Sequence, residues 1–327
     1  MFLLDSKDII GLHKYLQSRK EYTSDILPEV EKPGEGNMNY VLRVMTNNNS
    51  FIIKQARPYV EKYPQIAAPV ERAIVESTFY RTIQDDAVLR AHMPGLLWSD
   101  ETNNILALED FGESKDYTDL YNGTNKLSIS ETTELLNFLS HLNRLEHKYN
   151  NPLFQNRGMR ELNHQHIFLY PFMSDNGFDL DIVQPGLQRL AEKYKTDIAL
   201  KKKIIQLGES YLANGDTLLH GDFYPGSWLR TATGIKVIDP EFCFYGPAVF
   251  DIAIMTAHCF LSEQDPIIME TITSFNNANE NFNNKLYKQF TGIEIMRRLI
   301  GLAQLPLSLS IETKENLLNT AAALIAA

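Results

Sequence analysis

The stretch from Leu218 to Asp251, LLHGDFYPGSWLRTATGIKVIDPEFCFYGPAVFD, constrains this chain most. A short apolar pair, Leu218 and Leu219, leads into His220, Gly221 and Asp222, and a polar loop runs on to Ser227. A brief strand over 236–238 then delivers Asp239 and Glu241. The two aspartates are 17 residues apart, room for a loop, a strand, a turn and a return strand. Antiparallel pairing of those strands brings both carboxylates back to one end of a hairpin. One carboxylate to orient a hydroxyl and a second to bind a metal is the layout that phosphoryl transfer requires, because positioning and charge neutralisation carry its rate. In that layout Asp222 aligns the acceptor hydroxyl, and Asp239 holds Mg2+, a cation that prefers hard oxygen ligands. Ser227 stands five residues after Asp222, where a protein kinase carries a metal-binding Asn. Glu241, two residues beyond Asp239, offers another oxygen, and the choice between Ser227 and Glu241 stays open. The bland alternative is a pair of ordinary turn aspartates.

The N-terminal part reads as strands and one helix. Asp5 to Arg19 predicts an opening helix, capped by Asp5 or Ser6, with Ile9, Ile10, Leu12 and Leu16 as its apolar face. The apolar runs Tyr40 to Val44 and Phe51 to Lys54 flank a polar tip and predict a hairpin. Gly34, Gly36 and Asn37 precede the first strand, where small residues let backbone N–H groups approach a triphosphate of ATP. The run is not a full GxGxxG, since Asn39 takes the third glycine position. Lys54 closes the second strand, the place from which kinase lysines meet the α- and β-phosphates. Pro69 to Gln84 predicts a helix with Pro69 in its first turn. Glu76 within it is expected to reach Lys54, the alternative being a surface pair with Arg72. Gly95 to Trp98 and Ile105 to Leu108 predict two more strands.

The remainder has helical periodicity. Ser128 and Glu131 predict a capping box, and Leu135, Leu136, Leu139, Leu142 and Leu145 continue as a core stripe. An amphipathic segment over 183–212 carries a break near Lys195. His164 and His166 alternate, but no other Cys or His lies near them in sequence, and zinc is not expected.

The HGDFYPGS and VIDPEFCFYGPAVFDI runs together resemble the kinases of the aminoglycoside phosphotransferase and choline kinase superfamily, and within it the 5-methylthioribose kinase family. GEGNMNYVLRV, FIIKQARPYV and MRRLIGLA strengthen the likeness, which extends from about Gly34 to Ala303. The resemblance implies an α+β, protein-kinase-like two-lobe fold: an N-lobe with an antiparallel sheet plus helix, residues 1–110, and a mostly helical C-lobe, residues 111–327. It implies ATP and Mg2+ as cofactors and a small-molecule hydroxyl acceptor, methylthioribose or a related thiosugar. It also implies that the Leu108 to Gly112 segment, with Glu109 and Phe111, is a hinge that reads adenine through its backbone. Asp251 is implied to cap its helix and brace the catalytic loop. One of Arg297 or Arg298 is implied to meet the substrate or the transferred phosphate. Adjacent helical residues point about 100° apart, so both are not expected to contact one ligand, and an internal ion-pair helix is the alternative. Tyr224 belongs to the acceptor side, in a Phe223-Tyr224-Pro225 run where the family typically has Leu-His-Thr. The segment between Phe260 and Glu294 also looks shorter than in that family. Both departures bear on the acceptor.

Composition narrows the rest. The net charge of −10 disfavours nucleic acid and anionic membrane as partners, since both need a basic face. No apolar stretch is long enough to span a bilayer, the N-terminus does not read as a signal peptide, and two cysteines suit a reducing cytoplasm. A homodimer is allowed by family analogy alone. Two other readings remain: a kinase of aminoglycosides or of small alcohols such as choline or homoserine, and a non-catalytic nucleotide-binding module.

Overall fold

The computed structural model describes residues 2–19, 22, 24–34, 37–46, 49–145 and 151–327. Gly36, expected at the nucleotide, lies outside them, as do Asn47 and Asn48 of the hairpin tip.

Helix α1 (Ile9–Gln17) opens the described chain. Asp8 caps it by accepting from the Gly11 N–H at 2.8 Å, so the cap falls two or three residues later than expected. Leu12 and Leu16 are buried but Ile10 is 61% exposed. The first sheet is antiparallel, in the order β1 (Glu29–Glu31), β2 (Tyr40–Met45), β3 (Ser50–Gln55), β7 (Ile105–Glu109), β6 (Leu96–Asp100). Between β3 and β6 come the small ribbon β4 (Tyr59–Val60) with β5 (Tyr63–Ala67), then α2 (Arg72–Thr82) and α3 (Ala87–His92). The centre of the sheet is apolar: Leu42, Val44, Ile53 and Ala107 are fully buried, as β-branched and aliphatic residues favour on a pleated surface. Lys54 follows Ile53 on β3, opposite Val41 on β2 and Leu106 on β7, so its side chain leaves the sheet on the other face, toward α2.

The rest is largely helical. After β8 (Lys115–Asp116) come α4 (Ile129–Arg144), α5 (Arg157–His164), α6 (Leu187–Lys195) and α7 (Ile198–Leu212). The capping box at Ser128 and Glu131 forms, and the Leu135 to Leu142 stripe is buried. The break near Lys195 separates α6 from α7, where Asp197 caps the new helix by accepting from Leu200 N–H. Then β9 (Thr217–Leu219), β10 (Trp228–Thr231), β11 (Gly234–Val237) and β12 (Phe244–Gly246) bring the chain to α8 (Phe250–Leu261), α9 (Pro266–Asn277), α10 (Asn284–Ile300) and α11 (Ile311–Ala326). Strand β10 pairs with β11 on one side and β8 on the other, and β9 pairs antiparallel with β12. This sheet-plus-helix arrangement is the α+β, two-lobe kinase-like fold expected from sequence. Among the described residues no helix is long and apolar enough to cross a membrane. Cys243 and Cys259 are both free and buried.

The core of the helical part closes around Phe250, fully buried with ring centroids 5.2 Å from Tyr211, 5.8 Å from Phe244 and 5.1 Å from Phe290. It lies one residue before Asp251, so the same packing seats the helix that faces the 220–222 loop. Phe250→Ala should cost about 3–5 kcal/mol of unfolding free energy, measured by urea denaturation with circular dichroism.

Candidate active site

Two backbone departures shape the site. Gly221 sits at φ +86°, and a Cβ there would lie 2.1 Å from the Phe242 carbonyl oxygen, so the loop admits no side chain at that point. Asp239 adopts left-handed φ +64° and ψ 53°, a region that Asp tolerates better than most residues. Between them β10 and β11 form the hairpin foreseen from the spacing, with Trp228 opposite Val237. Asp222 therefore enters just before the hairpin and Asp239 just after it. Both line one cavity of about 190 Å3, together with Lys54, Ser227, Glu241 and Tyr224.

Asp251 fixes the loop. Its Oδ2 accepts from the His220 N–H at 2.6 Å and its Oδ1 from the Gly221 N–H at 2.9 Å. The bracing role holds but the capping role does not: Asp251 lies inside the first turn of α8, and its carboxylate is turned to the loop instead. Burial raises its carboxyl to about 7 against those two hydrogen bonds. His220 is buried, its Nε2 meets the Ile238 carbonyl at 3.0 Å, and burial pushes it down to about 4. The 220–222 loop is thus tied to the end of the hairpin by one imidazole and to α8 by one carboxylate.

On the sheet side, Lys54 Nζ donates to Glu76 Oε1 at 3.0 Å and also meets Asp239 Oδ1. Glu76 is the partner of Lys54, and Arg72 is not on the surface. Arg72 is fully buried, with its Nε 3.2 Å from Glu241 Oε2 and 2.9 Å from Asn39 Oδ1. Asn39 in turn donates to Glu241 Oε2 at 3.1 Å. This accounts for Asn39 at the third glycine position: its amide bridges a cation and a carboxylate, which glycine cannot do. Glu241 is raised to about 7 by burial, with the Arg72 charge opposing. Ser227 Oγ donates to the Asp222 carbonyl at 2.9 Å.

The arginines of α10 form the internal ion-pair helix that was the alternative reading. Arg297 and Arg298 are successive residues of α10, yet each presents a terminal nitrogen to Asp222 Oδ1, at 3.5 and 3.6 Å. The 100° divergence at the backbone is undone by the length of the side chains and by Glu294, three and four residues earlier, which holds the Nε of both. Burial raises the Asp222 carboxyl, opposed by the charges of Arg298 and Arg297. The Arg298 guanidinium also lies 4.8 Å over the Tyr224 ring.

Other expected residues are placed elsewhere. Asn37 lines the cavity of Asp222, but Gly34 is exposed and does not. Glu109 and Phe111 line a separate cavity of about 350 Å3 with Arg90 and Lys236. The Glu109 carboxylate accepts from Gly95 N–H at 3.1 Å, away from Lys54. Sequence reasoning missed Asp116 and Thr118, which also line the Asp222 cavity, and His258, which hydrogen-bonds Glu294. Asp116 belongs to β8, whose pairing with β10 has no signature of two residues. His164 and His166 rest against Phe168 and Tyr170.

Residues 29–276 match the profile of the phosphotransferase enzyme family. The chain belongs to that family. Its curated relatives include the methylthioribose kinase of Bacillus cereus (strain G9842), 30% identical over 70% of this chain and 59% of the relative. That of Geobacillus sp. (strain WCH70) is 28% identical over 86% of this chain and 80% of the relative. The chain spans about six-tenths of the length of several such relatives, 59% and 61% of the Bacillus cereus and Exiguobacterium sibiricum enzymes. Among solved structures, choline kinase LicA from Streptococcus pneumoniae superposes with TM-score 0.53 at 14% identity, covering 96% of this chain and 97% of that one. The aminoglycoside phosphotransferase of the gentamicin–APH(2")-IIa complex gives TM-score 0.52 at 14% identity, covering 100% and 97%. At such identities these two structures share the phosphotransferase family's fold.

Two outcomes follow from this geometry. Gly221→Ala should displace the 220–222 loop and lower any turnover by at least about tenfold with the chain still folded, read by activity beside circular dichroism. His258 is buried and pushed down to about 4, against a Glu294 hydrogen bond that favours the charged form. The unfolded chain takes up that proton near pH 6.5, so the folded state is stabilised above about 6.5 and progressively less as pH falls toward about 4. The difference in urea midpoint between the wild-type protein and His258→Gln should therefore shift against the wild type as pH falls from 7 to 4.5, a comparison in which the oppositely shifted Asp251 and Glu241 cancel.

Proposed function

We propose that this phosphotransferase family member is an ATP-dependent small-molecule kinase that phosphorylates a hydroxyl of a sugar-like acceptor, methylthioribose or a related thiosugar. The observation that carries the reading is the convergence of Asp222, Asp239 and Lys54 on one cavity, with two guanidiniums on Asp222. The methylthioribose kinase relatives favour the acceptor class. Residues 1–110 serve as the nucleotide lobe and 111–327 as the lobe of the catalytic loop and acceptor.

In this reading Asp222 Oδ accepts or aligns the acceptor hydroxyl proton. Burial raises its carboxyl, which makes it a better proton acceptor than a solvated aspartate, while the charges of Arg298 and Arg297 oppose that rise. Lys54, oriented by Glu76, holds the α- and β-phosphates, and Asn37 lines their approach. Glu109 and Phe111 contribute backbone groups at the adenine edge. Arg297 and Arg298 neutralise charge on the transferring group, and Tyr224 walls the acceptor. The donor set at the hairpin end suits Mg2+: the Asp239 carboxylate is 39% exposed, and the Ser227 hydroxyl and Glu241 carboxylate line the same cavity, all hard oxygens. Bound there, Mg2+ supplies charge neutralisation on the phosphates. Glu241 is already shared with Arg72 and Asn39, so Asp239 is the principal protein ligand and Ser227 or Glu241 the secondary one.

The two buried guanidiniums beside Asp222 disfavour a polycationic acceptor, which sets aminoglycosides behind neutral sugars. Coupled ADP release with methylthioribose, ribose, homoserine, choline and kanamycin should show turnover of methylthioribose above the others. Turnover of choline or kanamycin alone would reassign the acceptor, and no Mg2+-dependent turnover of any would leave a nucleotide-binding module. Asp222→Asn should lower kcat by about 10^3-fold or more with ATP affinity nearly intact, measured by isothermal titration beside kinetics.

A further inference from the structure

Glu294 is fully buried, and every hydrogen bond given to its carboxylate comes from a group at or behind the acceptor side. Its Oε2 accepts from Arg297 Nε, and its Oε1 accepts from Arg298 Nε at 2.8 Å and from His258 Nε2 at 3.0 Å. A carboxylate accepts only, so His258 donates from Nε2 and its Nδ1 is the acceptor for the Tyr121 hydroxyl, 2.6 Å away. His258 is 1% exposed, and its ring is also packed against Tyr224, centroids 5.3 Å apart. The chain of contacts runs from Tyr121 through His258 and Glu294 to both arginines and ends on Asp222 Oδ1.

Charge explains why a carboxylate stands there. Two guanidiniums facing Asp222 alone would leave an excess positive charge in a buried site and draw Asp222 into a closed ion pair. Glu294 balances the second cation, and by holding both Nε atoms it leaves the terminal nitrogens to face the cavity. The two anions meet different nitrogens of each guanidinium, Glu294 at Nε and Asp222 at Nη2, a division that the planar fork of arginine permits and the point charge of lysine does not. We propose that Glu294, seated by His258 and Tyr121, is a positioning residue for the transfer: it gathers the two adjacent arginines into one clamp on the acceptor-side oxygen of Asp222. The proposal rests on the kinase reading above and adds to it a residue that itself touches neither acceptor nor nucleotide.

Glu294→Gln and Glu294→Asp in the full chain test it, with ADP release under saturating ATP and the acceptor that the wild-type protein uses. Glu294→Gln should lower kcat by about 100-fold with the KM for ATP within about twofold, and Glu294→Asp should recover about a tenth of wild-type turnover or more. In the nuclear magnetic resonance spectrum of arginine-15N-labelled protein, slowly exchanging Nε–H signals assigned to Arg297 and Arg298 by Arg297→Lys and Arg298→Lys should both be lost in Glu294→Gln, while that of the buried Arg72 persists. Wild-type turnover in Glu294→Gln overturns the proposal, as does a kcat loss matched by an equal loss of ATP affinity. Absence of protected Nε–H signals assignable to Arg297 and Arg298 in the wild-type protein overturns it even if Glu294→Gln fails to fold. Wild-type protein with both signals but no turnover of any acceptor sinks the kinase reading and the catalytic part of the proposal, and leaves the clamp standing.

Discussion

One ammonium group holds the two halves of this molecule in register. Lys54 rises from the centre of an antiparallel sheet and meets two carboxylates of different origin, Glu76 from α2 and Asp239 from the turn after β11. The Lys54–Glu76 pair is buried, so that carboxylate cannot be removed without leaving the ammonium poorly compensated, whereas the Asp239 carboxylate is open to the cleft. The strand fixes where the cation is, the helix fixes which way it points, and the hairpin brings the second anion to it. The phosphate chemistry proposed above depends on this arrangement, because it asks the same ammonium to meet a triphosphate.

Much of this was legible in the sequence, for local reasons. Alternation in Phe51 to Lys54 fixes which face each side chain takes, and helical spacing in α2 carries Glu76 toward the sheet, so the Lys54–Glu76 pair follows from two periodicities. The spacing of Asp222 and Asp239 encodes a hairpin whose closure needs no long-range information. What was not legible depends on contacts between distant segments. Strand β8 is two residues long and exists only because β10 offers it an edge, so Asp116 carried no signal. Glu109 and Phe111, expected at a hinge from the family resemblance, line a cavity apart from that of Asp222.

The arginine pair shows why periodicity alone misleads. Helical geometry describes Cβ directions, whereas a guanidinium ends far enough from its backbone for a neighbour to redirect it. Glu294 lies just ahead of the MRRLIGLA run, three and four residues before Arg297 and Arg298, and that spacing was the available sign that the two could share an anchor. His258 had no comparable sign, since its relation to Glu294 joins α8 to α10.

Arg72 carries a consequence for motion. Its guanidinium, through Nε and both terminal nitrogens, donates to Asn39, to the carbonyls of Met38, Arg57 and Pro69, and lies against Glu241. The start of β2, the approach to β4, the entry of α2 and the turn after Asp239 are therefore bolted to a single planar group. Any opening and closing of the cleft has to carry these four segments as one block, and the pivot must lie elsewhere along the chain.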